Sequence, residues 1–209
     1  NAITSLSLIC SGQNVNITAI GALTYTWNTG ATTQVIAVSP TVTTTYTVTG
    51  TDGNGCKKSA TETVTVNPLP SVSAVSAPTA ICVGQSGTLT ASGASTYSWS
   101  TGAMAPAILV TPTVTTTYTV YGTDSYGCSN SNTLTTVVNP LPVVIASPSS
   151  SVICLNNSVN LTASGASTYS WSTGSSSSSI LVTPSVTTTY TVYGTNSNGC
   201  VNAATSSII

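Results

Sequence analysis

The stretch Thr41–Cys56 reads TVTTTYTVTGTDGNGC, and its reading decides the fold. It returns as TVTTTYTVYGTDSYGC over Thr113–Cys128 and as SVTTTYTVYGTNSNGC over Ser185–Cys200. Val42, Thr44, Tyr46 and Val48 alternate with Thr43, Thr45, Thr47, Thr49 and Thr51. A period of two is the mark of a half-buried strand, with one apolar face and one face of hydroxyls. The DGNGC, DSYGC and NSNGC endings read as turns, because Asp or Asn before Gly bonds its own backbone two residues on.

The rest of the chain repeats with the same step. Cys10, Cys82 and Cys154 fall 72 residues apart, as do Cys56, Cys128 and Cys200, and Trp27, Trp99 and Trp171. The stretch LTASGASTYSWSTG over Leu89–Gly102 is repeated unchanged at Leu161–Gly174. The spacing predicts three modules at 1–68, 69–140 and 141–209. Further strands are expected at Val15–Ile20, Thr24–Asn28, Val35–Ser39, Glu62–Val66 and Val72–Ala77, separated by Gly, Asn, Pro and Ser clusters. Asn67–Pro70 and Asn139–Pro142 both read NPLP and are expected to be short, stiff linkers. Six or seven short strands per module, with no helical periodicity, predict a small β-sandwich. The chain of 209 residues is seven short of three full repeats, and those seven correspond to VNPLPSV at Val66–Val72. It is expected to be a piece of a longer array.

Composition narrows the function. Only Asp52, Lys57, Lys58, Glu62 and Asp124 carry charge, 2% of the chain, with a net charge of −1 and no His. A basic patch to hold nucleic-acid phosphates is missing, and so is one for an anionic membrane surface. The apolar runs, such as Ala107–Val110, are far shorter than the ~20 residues that span a bilayer. Without His, the Ser–His and Cys–His nucleophile arrangements are unavailable. Asp52, Glu62 and Asp124 are the only carboxylates, too few for a catalytic pair or a calcium site to be expected, and no cofactor is expected either. Six cysteines with no His and no Cys-x-x-Cys pair speak against zinc and for disulfides in an exported, extracellular chain.

Three other features have sharper readings beside their plain ones. The Thr row is a wet strand face; the alternatives are O-glycosylation or a hydroxyl array for ice or a crystalline polysaccharide. Tyr121 and Tyr193 interrupt that row where the first module has Thr49, and an exposed tyrosine can stack on a sugar. The segments that differ most between copies are Ala31–Val35, Ala103–Ala107 and Ser175–Ser179; they predict a tolerant loop or a recognition loop. Asn16, Asn156 and Asn160 head Asn-x-Ser/Thr sequons and are candidate glycosylation sites.

ICVGQSGTLTASG at Ile81–Gly93 resembles the turn and second strand of immunoglobulin-like domains, and TYTV at Thr117–Val120 resembles their sixth strand. The resemblance implies that Trp27, Trp99 and Trp171 are the core tryptophans. It makes Tyr46, Tyr118 and Tyr190 the tyrosine corner. Ala91 and Val120 stand where the usual inter-sheet cysteines would be, which implies an apolar contact there instead. Taken whole, the chain is similar to immunoglobulin-like and PKD-like repeats of Bacteroidota surface proteins, including gliding adhesins exported by the type IX system. The PKD aspartates next to the tryptophan are missing from WNTG and WSTG.

That resemblance bears on the cysteines and leaves two pairings open. One joins Cys10–Cys56, Cys82–Cys128 and Cys154–Cys200 within modules. In an immunoglobulin-like order, however, those partners lie at opposite poles, ~23 Å apart along a seven-residue strand, against about 7 Å for a disulfide. The other joins Cys10–Cys128 and Cys82–Cys200 across junctions and leaves Cys56 and Cys154 for neighbouring modules. The functional expectation is a non-catalytic segment of an extracellular adhesin, stalk or filament, with neighbouring modules or copies of itself as end-to-end partners. The alternatives are carbohydrate- or ice-binding modules, or a spacer from a secreted hydrolase.

Overall fold

The computed structural model describes residues 1–209, and all of its regular structure is β. The first repeat has seven strands: β1 Ala2–Thr4, β2 Leu8–Cys10, β3 Val15–Ala19, β4 Thr24–Trp27, β5 Val35–Val38, β6 Thr44–Thr51 and β7 Lys57–Asn67. They form a sheet of order β1-β3-β5 and a second of order β2-β7-β6-β4. Most pairs are antiparallel, while β2 runs parallel to β7, with Cys10 opposite Asn67. In the second repeat, β8 Ser73–Ala77, β10 Gly87–Ser92 and β12 Ala107–Val110 form the sheet β12-β10-β8. Its other sheet, β11-β13-β14-β9, contains β9 Ala80–Cys82, β11 Thr96–Trp99, β13 Thr116–Thr123 and β14 Ser129–Asn139. The third repeat has β15 Ile145–Pro148, β16 Val159–Ser164, β17 Thr168–Trp171, β18 Ser179–Val182, β19 Thr188–Thr195 and β20 Val201–Ile208, in sheets β15-β16-β18 and β17-β19-β20. These are immunoglobulin-like β-sandwich modules.

Packing divides the chain into two compact units. One comprises Asn1–Val75, Thr90–Ile108 and Tyr118–Leu134; the other comprises Ser76–Leu89, Leu109–Thr117 and Thr135–Ile209. In the first, Ile9, Val15, Ile17, Ala19, Trp27, Ile36, Tyr46, Val48 and Val64 make one buried cluster. In the second, Val159, Leu161, Ala163, Trp171, Ile180, Val182, Val192 and Ile208 do the same. Ala91 and Val120 are buried, and their counterparts one repeat away, Ala19 with Val48 and Ala163 with Val192, each sit inside one apolar cluster.

The alternation in the opening phrase holds from Thr44 onward, with Tyr46 and Val48 buried. It fails at Val42, which is 69% exposed, as are Val114 at 68% and Val186 at 74%. The Thr44 hydroxyl donates to the Val42 carbonyl at 2.7 Å, and Thr116 and Thr188 do the same to Val114 and Val186. This local bond holds a bend, so the strand starts two residues later than the pattern suggests. The expected strand at Glu62–Val66 is longer, running over Lys57–Asn67.

One core position changes chemistry between copies. Val64 and Ile208 are fully buried, and their counterpart Thr136 is equally buried. The Thr136 hydroxyl meets the Ser76 hydroxyl at 3.2 Å, which in turn donates to the Pro78 carbonyl at 2.8 Å. A buried hydroxyl is tolerated because it is bonded.

Candidate functional site

The Asp/Asn-x-x-Gly-Cys turn places a cysteine. Asp52 Oδ1 accepts from the Asn54 and Cys56 amides, both at 2.9 Å. Asp124 accepts from Tyr126 and Cys128 at the same distance, and Asn196 from Asn198 and Cys200 at 3.0 Å. The acidic oxygen is therefore a turn former, and Asn replaces it without loss because only an acceptor is needed. At the other pole, Gln13 and Gln85 carbonyl oxygens accept from the Cys10 and Cys82 amides at 3.2 and 3.0 Å. No cluster of three His, Cys, Asp or Glu residues forms a metal site.

Two disulfides join these poles. Cys10 bonds Cys128 and Cys82 bonds Cys200, with Cα separations of 5.5 and 5.6 Å. Both spans cover 118 residues, so each bond links a cysteine of one repeat to a cysteine of the next. Cys56 and Cys154 are free and exposed. Cys128 and Cys200 are completely buried.

Each disulfide stands beside a linker that is packed rather than merely stiff. Pro70, Val72 and Pro142 are buried. Asn130 Nδ2 donates to the Pro70 carbonyl at 3.0 Å, and Asn132 Nδ2 to the Val72 carbonyl at 2.9 Å. Asn202 and Asn196 do the same for Pro142 and Pro140, both at 3.0 Å. Glycines make the room. A Cβ on Gly93, whose φ is +91°, would land on the Ser71 carbonyl oxygen; one on Gly122 would meet Val72 at 2.6 Å and Ala94 at 2.7 Å. Gly165 and Gly194 stand in the same relation to Val143 and Val144. Val72 was expected to begin a strand, but it is this anchor, and β8 starts after it.

The aromatic residues fall into a buried set and a set that ties loops to the strands. Trp27, Trp99 and Trp171 are buried, and Tyr46 and Tyr118 are each 7% exposed, with Tyr190 half-buried. Burial pushes the Tyr46 phenol above its ordinary value. On the Trp strands, a second set of tyrosines turns its hydroxyls back to the backbone. Tyr25 donates to the Ala22 carbonyl at 3.0 Å and accepts from its amide at 3.2 Å. Tyr97 and Tyr169 repeat this with Ala94 and Ala166. The indole Nε1 of Trp27, Trp99 and Trp171 donates to the carbonyls of Thr33, Ala105 and Ser177, all at 2.9 Å. That bond uses only backbone, so the loop keeps its geometry while its side chains change.

On the Thr face, hydroxyls bond one another across strands. Thr45 meets Thr63 at 2.9 Å and Thr49 meets Ser59 at 2.9 Å; Thr117 meets Thr135 at 2.8 Å and Thr189 meets Ser207 at 2.7 Å. Asn16, Asn156 and Asn160 are exposed, and Asn160 Oδ1 accepts from the Ser179 hydroxyl at 2.7 Å. Beside the variable loop of the second repeat lies an open cleft of about 540 Å³ whose lining includes Tyr97, Met104, Pro106 and Tyr121. Tyr121 is 55% exposed and Met104 84%.

No family model matches the chain, and no curated protein matches it in sequence. Among solved structures it is similar to a three-immunoglobulin-domain segment of titin, at 14% identity over 99% of this chain and 97% of that one, with a TM-score of 0.38. It is also similar to the three N-terminal domains of the highly immunogenic outer capsid protein of bacteriophage RB49, at 15% identity over 98% and 95%, TM-score 0.36. A third is the adhesin with which an Antarctic bacterium binds ice, at 14% identity over 100% of this chain and 72% of that one, TM-score 0.36. The functional reading therefore rests on this chain's own geometry.

Proposed function

We propose that this chain is a load-bearing, non-catalytic segment of an extracellular adhesin, stalk or filament. One observation carries the reading: each disulfide joins successive repeats instead of closing a single one. Such a bond does little to define one sandwich, but it changes what a pull on the chain can do. Force applied at the two ends runs from Asn1 to Cys10, crosses to Cys128, returns along the chain to Cys82, crosses to Cys200 and leaves through Ile209. The covalent route skips most of the polypeptide, so most of it is shielded from extension. The near absence of charge and the dense strand hydrogen bonding suit a protease-exposed, extracellular setting.

Single-molecule stretching of the full chain tests this. With the disulfides intact, the fully extended length is expected to be roughly a third of that in reductant, at about 3.5 Å per residue of covalent route. Equal lengths in the two conditions would sink the proposal.

A second reading is glycan binding at the cleft bordered by Tyr97, Met104 and Tyr121. It is supported by an exposed tyrosine next to the loop that varies most between repeats. Oligosaccharide-array binding that disappears in Tyr121→Ala is expected; an array silent for the full chain retires the idea. The ice-binding alternative draws less support from the Thr rows, whose hydroxyls are engaged with each other. Glycosylation at Asn16, Asn156 and Asn160 would be read directly by glycopeptide mass spectrometry of native material.

A further inference from the structure

The first repeat carries a cleft of about 660 Å³ whose lining includes Gly21, Ala22, Tyr25, Gly50, Cys56 and Lys58. The corresponding residues of the other repeats are the linker cradle already described. Gly93 and Gly165 lie against the Ser71 and Val143 carbonyls, and Gly122 and Gly194 against Val72 and Val144. In the first repeat a Cβ on Gly21, at φ +93°, meets nothing within 4 Å. One on Gly50 meets only its own repeat, Ala22 at 2.6 Å and Tyr25 at 3.8 Å. Asn1 and Ile20 line the edge of the cleft, and the counterparts of Ser71–Val72 and Val143–Val144, which fill the other two cradles, fall immediately before Asn1.

We propose that this cleft receives the extended Asn-Pro-Leu-Pro-x-Val segment of another module of the same repeat. Cys56 then forms a disulfide with that module's cysteine of the Cys10 class. The proposal deepens the load-bearing reading and rests on it.

Three observations carry it besides the cleft. The first is preorganisation. Asp52 holds the Cys56 amide at 2.9 Å, the same bond that Asp124 makes to Cys128, which is disulfide-bonded. The second is delivery. Cys10 and Cys82 lie on strands paired with Asn67 and Asn139, the residues that open each linker. Linker and cysteine therefore arrive together from one edge of the incoming module. The third is complementarity of the two free thiols. Cys56 belongs to the class that accepts a linker and Cys154 to the class that accompanies one, and both are exposed. Lys58 stands where Asn130 and Asn202 donate to a proline carbonyl, and its ammonium can make the same donation.

The covalent step needs an oxidant, which a small-molecule disulfide such as oxidised glutathione supplies. Its S–S bond breaks and takes up two electrons and the two thiol protons, giving two thiols, as the new S–S bond forms between the modules.

The first test adds the peptide acetyl-Asn-Pro-Leu-Pro-Ser-Val-amide to the isotope-labelled full chain and follows backbone amide resonances. A short flexible peptide loses much of its freedom on docking, so affinity is expected in roughly the millimolar range. Saturable shifts should appear at Gly21, Ala22, Tyr25, Gly50 and Lys58, and persist in Cys56→Ser. The corresponding residues of the other repeats, including Gly93 and Gly165, should stay still because their own linkers fill them. No shifts at about 10 mM peptide, where a millimolar site is mostly filled, or equal shifts in all three repeats, would overturn the receptor role.

The second test joins two full chains through Val-Asn-Pro-Leu-Pro-Ser-Val and oxidises the product in a glutathione buffer. Peptide mapping should find Cys154 of the leading copy bonded to Cys56 of the trailing one. Both thiols remaining free, or bonded elsewhere, overturns the covalent latch. Neither test depends on stretching, so either can fail while the load-bearing reading stands.

Discussion

The leading pole of the second repeat and that of the first have nearly the same residues and different surroundings. In the second, Gly93 and Gly122 are roofed by Ser71 and Val72, and Cys128 is buried in a disulfide. In the first, Gly21 faces open space and Cys56 is exposed. A repeat's stability is thus not a property of its own sequence alone; part of it is contributed by the segment that precedes it, as expected for arrays with nearest-neighbour terms. Each substitution made at both poles measures that contribution.

The cysteines should show the largest difference. Cys128→Ser opens a loop spanning 118 residues, and in the chain-entropy model that costs roughly 4–5 kcal/mol. Cys56→Ser removes no bond and should leave denaturant unfolding unchanged. Similar losses from both would mean that the Cys10–Cys128 bond does not stabilise the junction. Next come the glycines. Gly21→Ala and Gly93→Ala both place a side chain at positive φ, costing about 1–2 kcal/mol. Only Gly93→Ala also drives a Cβ into the Ser71 carbonyl, so its total should reach about 3 kcal/mol or more. Val72→Ala, which empties the site against Gly122 and Ala94, should cost about 2 kcal/mol. The third repeat offers a parallel test at Val144, whose methyls stand in the same relation to Gly194 and Ala166.

These particular residues show what could be read from sequence and what could not. The strands, the tryptophans and the Asp turn follow from local chemistry: alternation, size and a side-chain acceptor two residues from an amide. The cysteine partners stayed open because their distance depends on how one module meets the next, which no local pattern encodes. Alternation places Val42 on the buried face, while the bond from the Thr44 hydroxyl that delays the start of the strand is invisible to periodicity. The Tyr25 hydroxyl bonds back to Ala22, three residues upstream, a contact that strand alternation does not announce. The linker's packing did leave a trace. Gly50, Gly122 and Gly194 interrupt otherwise strong strands, and a glycine inside a strand marks close approach of another group. For Gly122 and Gly194 the approaching groups include Val72 and Val144, far away in the chain, which a local pattern does not encode.

The smallest effect is the most diagnostic of what the neighbour contributes. Asn130 reaches the Pro70 carbonyl through Nδ2 at 3.0 Å, while its Oδ1 accepts from the Ser131 amide at 2.9 Å. Proline has no N–H, so the linker offers its neighbour only carbonyls, and the cradle must supply the donors. Asn130→Ala removes one such donor at a half-covered site, where water can partly replace it, so the loss should be about 0.5–1 kcal/mol. Lys58→Ala in the first repeat removes a solvated side chain with no linker beside it and should change unfolding by less than about 0.5 kcal/mol. Once the cleft holds the Asn-Pro-Leu-Pro-Ser-Val peptide, however, Lys58 should acquire a partner, and Lys58→Ala should then weaken peptide binding severalfold. If Asn130→Ala is silent as well, the side-chain bonds to the linker are incidental, and the glycine cradle together with the disulfide accounts for the junction.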